Sequence, residues 1–283
     1  MKKIIYWIII LILADQQCFS QPKGKLVIIG GVQTGEIIKR FTELAGGSNA
    51  KIIIIPNAGS EPKENSEIQK QEFSDFGASS DYLLFSRETA DNEENLKKID
   101  QANAVFFLGG DQSDLARDML GTKLLEKVFR IYENGGVVGG TSAGAAVMSK
   151  VMITGNELIN KDSVRNFISI QKGNVETKQG FGFLKNVIID QHFLKRKRHN
   201  RLISLMIEHP DLLGVAIDES TSIIVYPDET FEVLGSNQVI VYDPTVYKQK
   251  SEDKNGNLGI DEMRMHVLIS GQKFDLKKKE LIK

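Results

Sequence analysis

The stretch VVGGTSAGAA, Val137–Ala146, joins a short apolar strand to a run of small helix-forming residues. Within it, Gly140–Gly144 matches G-x-S-x-G, a pattern in which serine occupies a sharp turn between a strand and a helix. The neighbours of Ser142 must be small, because the backbone at such a turn is strained. The turn holds the serine Oγ above the sheet, beside helix N-terminal N–H groups that can stabilise an oxyanion. The pattern predicts that Ser142 is a nucleophile; the alternative is a small-residue turn where a strand packs closely on a helix.

Apolar runs and helical periods alternate around this stretch. Lys25–Gly30, Lys51–Pro56 and Ala104–Leu108 are continuous apolar runs bounded by glycine or proline, which is typical of parallel strands buried on both faces. Apolar residues also recur at helical spacing over Glu36–Ala45 and Ser113–Glu133. The alternation predicts an α/β fold, a three-layer sandwich with a mainly parallel sheet.

The C-terminal half contains shorter elements. Val187–Asp190 is a predicted strand, and a helix that ends at Pro210 follows it. Four closely spaced strands are predicted to be antiparallel hairpins at the sheet edge: Gly214–Ile217, Ser222–Tyr226, Phe231–Leu234 and Gln238–Tyr242. Lys248–Gly259 is polar and predicts a surface loop, and no linker divides residues 21–283. We therefore expect a single α/β domain over these residues.

The N-terminus differs in composition from the rest of the chain. Lys2 and Lys3 precede the apolar run Ile4–Ala14, whose eleven residues are too few to cross a bilayer of about 30 Å. Cys18 and Ser20 are small residues ahead of a plausible cleavage site. The pattern predicts a cleavable signal peptide over residues 1–20, a secreted or periplasmic protein and no stable membrane anchor. The alternative is an uncleaved N-terminal anchor.

Charge and cysteine content exclude several classes of function. The net charge of the 283-residue chain is −1, which argues against a general nucleic-acid-binding protein. The chain's one cysteine, Cys18, lies in the predicted signal peptide, so the mature chain has no disulfide, thiolate metal site or cysteine nucleophile. His192, Asp190 and Glu219 do not form a pattern typical of zinc ligands. We therefore expect no metal and no cofactor.

A serine nucleophile needs a base, because its hydroxyl is weakly nucleophilic at neutral pH. His192 follows the strand Val187–Asp190 at its carboxyl end, where open α/β sheets place their sites. His209 ends an amphipathic helix and is interpreted as structural, and His199 lies in a charged run and is interpreted as solvated. His266, in a weak terminal strand, is a reserve candidate.

The acid that orients the base is not decided by the residues alone. Asp218 and Glu219 both follow a predicted strand, and acids at strand ends are often plain surface residues. Two triads containing Ser142 remain open: His192 with Glu219, or Asp218 or Asp243 with His266. The second has the serine–acid–histidine order of α/β-hydrolases. The order of the triad therefore decides the fold family.

Two further clusters lie near predicted strand ends. Phe107–Gln112 is a strand leading into a Gly-Gly turn with an amide beyond it, and the alternative is an ordinary βα turn. Lys195–Arg198 is a basic run, followed by Arg201, and such runs are usually solvated. Here the run begins three residues after the candidate base. Because the arginine fork binds carboxylates in a bidentate manner, the run suggests a substrate with free carboxylates.

Five ordered motifs between Leu26 and Asp243 resemble the cyanophycinases, in the serine peptidase family that also contains the aspartyl dipeptidases. The motifs are GGTSAGAAVMS (Gly139–Ser149), FLGGDQ (Phe107–Gln112), DQHF (Asp190–Phe193), the arginines Arg196, Arg198 and Arg201, and GVAIDEST (Gly214–Thr221). The resemblance implies a fold similar to class I glutamine amidotransferase domains, not an α/β-hydrolase.

The resemblance also implies roles for individual residues. Ser142 is implied as nucleophile, His192 as general base and Glu219 as orienting acid, with oxyanion donors at the N–H groups of Ala143 and Gly110. The implied substrate pocket comprises Gln112, Asp190, Gln191, Arg196, Arg198 and Arg201. In this scheme Asp190 meets a guanidinium of the substrate. The full arginine set favours cyanophycinases over the simpler aspartyl dipeptidases.

The implied activity is exopeptidase cleavage, through an acyl-enzyme, of a poly-aspartate polymer whose side chains bear arginine, with release of β-Asp-Arg dipeptides. Cyanophycin is stored inside cells, whereas this chain is predicted to be exported, so scavenging or a related β-aspartyl or isoaspartyl peptide substrate is implied. An esterase with the reserve triad and a non-catalytic binding protein remain the alternatives. The sequence leaves a homodimer open, and the tail after Asp243 matches no motif.

Overall fold

The computed structural model describes residues 22–159 and 167–283. The predicted signal peptide, residues 1–20, lies outside the described residues. The helices are α1 (Gly35–Leu44), α2 (Pro62–Asp75), α3 (Glu93–Asp100), α4 (Gln112–Met119), α5 (Lys123–Glu133), α6 (Ala143–Ala146) and α7 (His199–Glu208), with short 3-10 turns at Gly47–Asn49 and Pro244–Val246. Among the residues described, no helix has the length and apolar character needed to span a bilayer.

Seventeen strands are present in the described residues. The first nine are β1 (Lys25–Ile29), β2 (Lys51–Ile55), β3 (Ser79–Tyr82), β4 (Ala104–Phe107), β5 (Val137–Thr141), β6 (Val151–Glu157), β7 (Val175–Gln179), β8 (Val187–Asp190) and β9 (Leu213–Ile217). The others are β10 (Thr221–Val225), β11 (Thr230–Gly235), β12 (Val239–Asp243), β13 (Gln249–Glu252), β14 (Leu258–Asp261), β15 (Arg264–Leu268), β16 (Lys273–Asp275) and β17 (Glu280–Ile282).

The central sheet has nine strands in the order β17-β16-β11-β10-β1-β5-β4-β2-β3. The five strands from β3 to β1 pair in parallel, and β10, β11, β16 and β17 continue the sheet in antiparallel pairing. All five residues of β5 are buried, as is typical of a parallel strand covered on both faces. The predicted α/β class, with parallel strands and antiparallel edge strands from the C-terminal part, is confirmed.

Helices cover both faces of the central sheet. On one face, Val27 and Ile29 of β1 pack in a cluster with Ile37 and Phe41 of α1. On the other face, Leu26 and Ile28 belong to a larger cluster with side chains of α3, α4, α5 and α6. Alternate residues of one strand therefore enter two different cores, which is the arrangement expected of a three-layer sandwich.

A second sheet, in the order β15-β12-β9-β8, packs on the larger of these clusters. Its outer face is covered by α7, whose Leu202 and Met206 contact Ile188 and Ile240 in a third cluster. The interpretation of β9 and β12 as hairpin strands at the edge of the central sheet was wrong. Of the four strands concerned, β10 and β11 form such a hairpin, whereas β9 and β12 pair with each other in the second sheet.

Other boundaries differ from the sequence expectations for local reasons. The helical period over Ser113–Glu133 is divided between α4 and α5, because Gly121 has φ +74° and Thr122 Oγ1 accepts from the Leu125 N–H as a new N-cap. The predicted surface loop Lys248–Gly259 is exposed, but it contains β13 and the start of β14, which pair as a hairpin. The single domain over residues 21–283 stays a prediction.

Removing the Phe41 side chain tests the smaller core. Phe41 is fully buried, and its ring lies 5.5 Å from Phe73 and 5.1 Å from Phe106, centroid to centroid. Phe41→Ala is expected to lower the free energy of unfolding by about 3–5 kcal/mol, because it leaves a cavity that the sheet cannot close. Urea unfolding measures the change. Ile68→Ala, at an exposed position of α2, is the control and should change stability by less than about 0.5 kcal/mol.

Candidate active site

Ser142 occupies a strained turn between β5 and α6. Its backbone has φ 53° and ψ −107°, a conformation that residues other than glycine rarely adopt. The Ser142 N–H donates to the Ile29 carbonyl over 3.1 Å, which ties the turn to β1. A Cβ at Gly140 would lie 2.5 Å from the Gly144 oxygen, and a Cβ at Gly144 would lie 2.3 Å from the Phe107 oxygen. The two glycines of the motif are therefore required by close backbone contacts.

Ser142, His192 and Glu219 form one hydrogen-bonded chain. His192 Nε2 lies 2.9 Å from Ser142 Oγ, and His192 Nδ1 lies 2.7 Å from Glu219 Oε1. With the proton on Nδ1, the imidazole donates to the carboxylate and accepts from the serine hydroxyl at Nε2. This is the geometry of a serine–histidine–acid triad. The structure thus brings together the three residues that the sequence resemblance implied.

The position of His192 depends on a glycine turn that sequence reasoning did not single out. The His192 N–H donates to the Gly30 carbonyl over 2.6 Å. A Cβ at Gly31 would lie 2.3 Å from His192 Cε1. The imidazole therefore occupies the space that a side chain at position 31 would need. The Thr141 hydroxyl donates to the Gly31 carbonyl and joins this turn to β5. The Gly-Gly pair directly after a buried strand was the available signal.

The surroundings of His192 favour its neutral form. Burial lowers the pKa of His192, the hydrogen bond that its Nδ1–H donates to Glu219 opposes that effect, and the positive charges of Arg196 and Arg198 lower the pKa further. The net result is a pKa below the ordinary value for histidine. At neutral pH the imidazole therefore carries no charge and can accept a proton, as a general base must.

Two groups of backbone N–H donors lie beside Ser142. Ala143 is the first residue of α6, where an N–H has no acceptor within the helix. Across from it, a Cβ at Gly109 would lie 3.3 Å from Ser142 Cβ, so the Gly109–Gly110 turn passes directly over the serine. Gly110 has φ +141°, and a Cβ there would lie 1.7 Å from the Ala58 oxygen. Both predicted oxyanion positions, Ala143 and Gly110, therefore belong to backbone segments that meet at Ser142.

Arg198 and Arg196 are basic side chains whose charges act on the candidate base. Arg198 Nη1 donates to the backbone oxygen of Gln191 over 2.7 Å and to Gln191 Oε1 over 2.6 Å, with the side chain 15% exposed. Burial and the charge of Arg201 lower the pKa of Arg198 to about 10, so it stays protonated at neutral pH. Arg196 is exposed, and its charge acts on His192.

Asp190 and Arg201 form a buried ion pair. Arg201 Nε donates to Asp190 Oδ2 over 2.8 Å, and Arg201 Nη2 donates to Oδ1. The two residues are 1% and 2% exposed. The Gln191 N–H also donates to Asp190 Oδ1 over 2.7 Å. Arg201 thus supplies the partner that a buried carboxylate requires, and a contact of either residue with the substrate stays a prediction.

Gln112 links the Gly109–Gly110 turn to the β6–β7 hairpin. Its side chain is 6% exposed, and Nε2 donates to the backbone oxygens of Ile153 and Thr154 in β6. Asp111 accepts from the Ser113 N–H over 2.7 Å and caps α4. Gln112 therefore holds one wall of the site, and its contact with a substrate stays a prediction.

The reserve triad is not assembled. The His266 ring packs 5.0 Å from the Phe274 ring, and Asp243 Oδ1 accepts from the Thr245 N–H. Asp218 accepts from the Lys195 N–H over 3.0 Å. His199, interpreted from the sequence as solvated, is half-buried, and its Nδ1 lies 2.7 Å from the Tyr242 hydroxyl. Within residues 22–159 and 167–283, no group of three or more His, Cys, Asp or Glu residues is placed to hold a metal ion.

The charge of Arg196 predicts the pH dependence of the site. Arg196→Gln removes a positive charge that lowers the pKa of His192, so that pKa should rise. The acid limb of kcat/KM, which requires neutral imidazole, is then expected to move to higher pH. The control is Arg130→Gln, the same change on the exposed side of α5. An acid limb that stays in place, or moves to lower pH, would contradict the assigned electrostatics.

Comparison with known proteins identifies the family. The model of peptidase family S51 matches residues 26–233. Cyanophycinase of Synechococcus elongatus is 35% identical over 271 residues, which cover 91% of this chain and 81% of that protein. Cyanophycinase of Geminocystis herdmanii is 33% identical over 265 residues, which cover 90% and 94%.

A solved structure supports the same fold. The crystal structure of a peptidase from an acI-B1 Actinobacterium superposes with a TM-score of 0.66 at 23% identity, covering 90% of this chain and 98% of that one. The resemblance inferred from the motifs is therefore confirmed at the level of the family. The chain belongs to peptidase family S51, a family of serine-type peptidases.

Proposed function

We propose that this chain is an exported serine peptidase that hydrolyses β-aspartyl peptides, with cyanophycin as the leading substrate and β-Asp-Arg dipeptides as the product. The observation that carries the proposal is the hydrogen-bonded chain from Ser142 Oγ through His192 to Glu219 Oε1. The names of the cyanophycinase relatives support the substrate. The run of Lys2, Lys3 and Ile4–Ala14 supports export.

The proposed reaction begins with proton transfer from Ser142 Oγ to His192 Nε2, as Oγ attacks the scissile carbonyl. Glu219 accepts the Nδ1 proton in a hydrogen bond and stabilises the imidazolium that forms. The N–H groups of Ala143 and Gly110 stabilise the tetrahedral oxyanion. His192 then donates its proton to the leaving amine. In the second half, His192 takes a proton from the water that attacks the acyl-enzyme, and it then donates this proton to Ser142 Oγ as the acid product leaves.

The proposed carboxylate-binding side chains are Arg198 and Arg196. Gln191 holds Nη1 of Arg198, so one side of the guanidinium is fixed before any substrate arrives. A pre-oriented fork loses less conformational freedom on binding a carboxylate than a free side chain does. The buried Asp190–Arg201 pair holds the Gln191 backbone from behind. Recognition of a substrate rich in free carboxylates follows from this arrangement.

Replacing Arg198 by lysine tests the recognition. A lysine keeps the charge, but it cannot donate to Gln191 and present a planar fork to the substrate at once. We expect KM for β-aspartyl substrates to rise about ten- to a hundredfold, because a hydrogen bond to a charged group contributes about 1.5–3 kcal/mol. Arg130→Lys, on α5, is the matched control. An unchanged KM in the Arg198 variant would remove this residue from the pocket.

A substrate panel tests the proposed activity. The protein from Gln21 onward is incubated with cyanophycin, β-aspartyl dipeptides and a simple ester, and products are read by mass spectrometry. Release of β-Asp-Arg supports the leading substrate, and cleavage of dipeptides alone moves the assignment to an isoaspartyl dipeptidase. Ser142→Ala should abolish turnover and leave substrate binding largely intact, whereas Ser251→Ala, in the exposed β13, should leave both turnover and binding unchanged. Turnover by the Ser142 variant would overturn the mechanism.

A further inference from the structure

The turn that carries Glu219 is enclosed by the connection between β11 and β12. The Ser236 N–H donates to the Ser220 carbonyl over 2.9 Å, and the Asn237 N–H donates to Thr221 Oγ1 over 2.9 Å. Gly235 has φ +133°, and a Cβ there would lie 2.2 Å from the Ser220 oxygen. The connection therefore packs against the Glu219 turn as closely as two backbones can.

One side chain of this connection contacts Glu219 itself. Asn237 Nδ2 donates to the Glu219 backbone oxygen over 2.8 Å. Thr221 Oγ1 also donates to this oxygen, over 3.2 Å. Both donors fix the backbone of the residue whose carboxylate meets His192. The hydrogen bond from the Asn237 amide is the shorter of the two.

The turn needs such support because its backbone is strained. Ser220, the residue after Glu219, has φ 55°. Non-glycine residues adopt such a conformation only at an energetic cost, and they keep it where surrounding contacts enforce it. On the side opposite Asn237, the Ser220 N–H donates to the Val32 carbonyl over 2.8 Å. The acid is thus fixed between the Gly30–Val32 segment and the Gly235–Gln238 segment.

We propose that Asn237 is a positioning residue for catalysis: its amide holds the Glu219 backbone so that the carboxylate stays against Nδ1 of His192. The proposal rests on the proposed function in that Glu219 is the acid of the triad. Asn237 acts through Glu219 and touches no reacting atom. Loss of its donor lets the strained turn relax, and the Glu219 carboxylate then loses its alignment with the imidazole.

Asn237→Leu is the sharpest variant, because it keeps the approximate size of the side chain, removes the N–H donor and adds no charge beside Glu219. We expect kcat to fall about ten- to a hundredfold, as for other small misplacements of catalytic groups, with KM little changed. Since the hydrogen bond that His192 donates to Glu219 raises the pKa of His192, its weakening should move the acid limb of kcat/KM to lower pH. Ser236→Ala, which leaves the backbone contact of the same connection in place, is the control and should behave as the parent.

A double-mutant cycle separates positioning from general destabilisation. In a Glu219→Gln background, Asn237→Leu should produce little further loss of kcat, because the carboxylate through which Asn237 acts is gone. Losses that multiply would overturn the proposal. Asn237→Ala is measured in parallel, and thermal unfolding midpoints are measured first, so that a poorly folded leucine variant does not decide the result.

A measurement without turnover makes the inference independent of the substrate assignment. The NMR signal of the His192 Nδ1 proton and the titration of the ring report the contact with Glu219 in the free protein. We expect the Asn237 variants to lose the low-field Nδ1 proton signal and to show a lower pKa of His192. An unchanged signal and titration would overturn the inference. Failure of the parent protein to cleave any substrate, with these shifts present, would overturn the proposed function alone.

Discussion

The hydrogen-bonded chain from Ser142 to Glu219 crosses the junction between two sheets. Ser142 follows β5 of the central sheet, His192 follows β8 of the second sheet, and Glu219 lies in the turn that leads from β9 in the second sheet to β10 in the central one. The separations of 2.9 Å and 2.7 Å are reached where strand ends of the two sheets come together. Glycine makes this approach possible: a Cβ at Gly30 would lie 2.3 Å from the Asp218 oxygen.

Strain at the site is distributed over several residues and held by the surrounding backbone. Ser142, His192 and Ser220 all have positive φ, and each lies at a residue of the triad or next to one. Backbone hydrogen bonds to Ile29, Gly30 and Val32 fix these three positions to the end of β1 and the turn that follows. The segment Ile29–Val32 therefore acts as a common support for nucleophile, base and acid. Such preorganisation favours an electrostatically catalysed reaction, since little needs to move during the chemical step.

The three arginines near the site differ in how deeply they are buried, and their roles differ accordingly. The basic run looked uniform in the sequence, but Arg196 is exposed, Arg198 is largely buried and Arg201 is fully enclosed against Asp190. The arginines differ in burial because the backbone changes direction between them: Lys197 has φ 54°, and α7 begins at His199. Successive side chains therefore point in different directions. A buried arginine is stable where a carboxylate meets it, so Arg201 supports the pocket while the outer two arginines remain able to meet a substrate. Their charge also keeps His192 in its neutral form.

Local sequence was sufficient for most of the central parallel strands and for the main chemistry. Continuous apolar runs identified β1, β2, β4 and β5, and the small residues around Ser142 identified the nucleophile turn, because both signals are carried by neighbours in the chain. The histidine at the end of β8 was also found in this way. The choice of Glu219 over the other acids came from the family resemblance, and the geometry brings that residue to His192.

Tertiary structure alone decided the features that depend on pairing between distant segments. β9 and β12 belong to the second sheet, whereas β10 and β11 belong to the central sheet. This assignment depends on which strand edges pair, and short strands with similar sequence patterns do not encode that choice. Three further features depend on contacts between residues that are far apart in the chain or on different elements. They are the buried pair of Asp190 and Arg201, the space beside Gly31 that His192 occupies, and the contact of Asn237 with Glu219. The sequence by itself determined which residue types were available for catalysis. The fold decided which of them meet, because only packing brings the two sheets to within a hydrogen bond of each other.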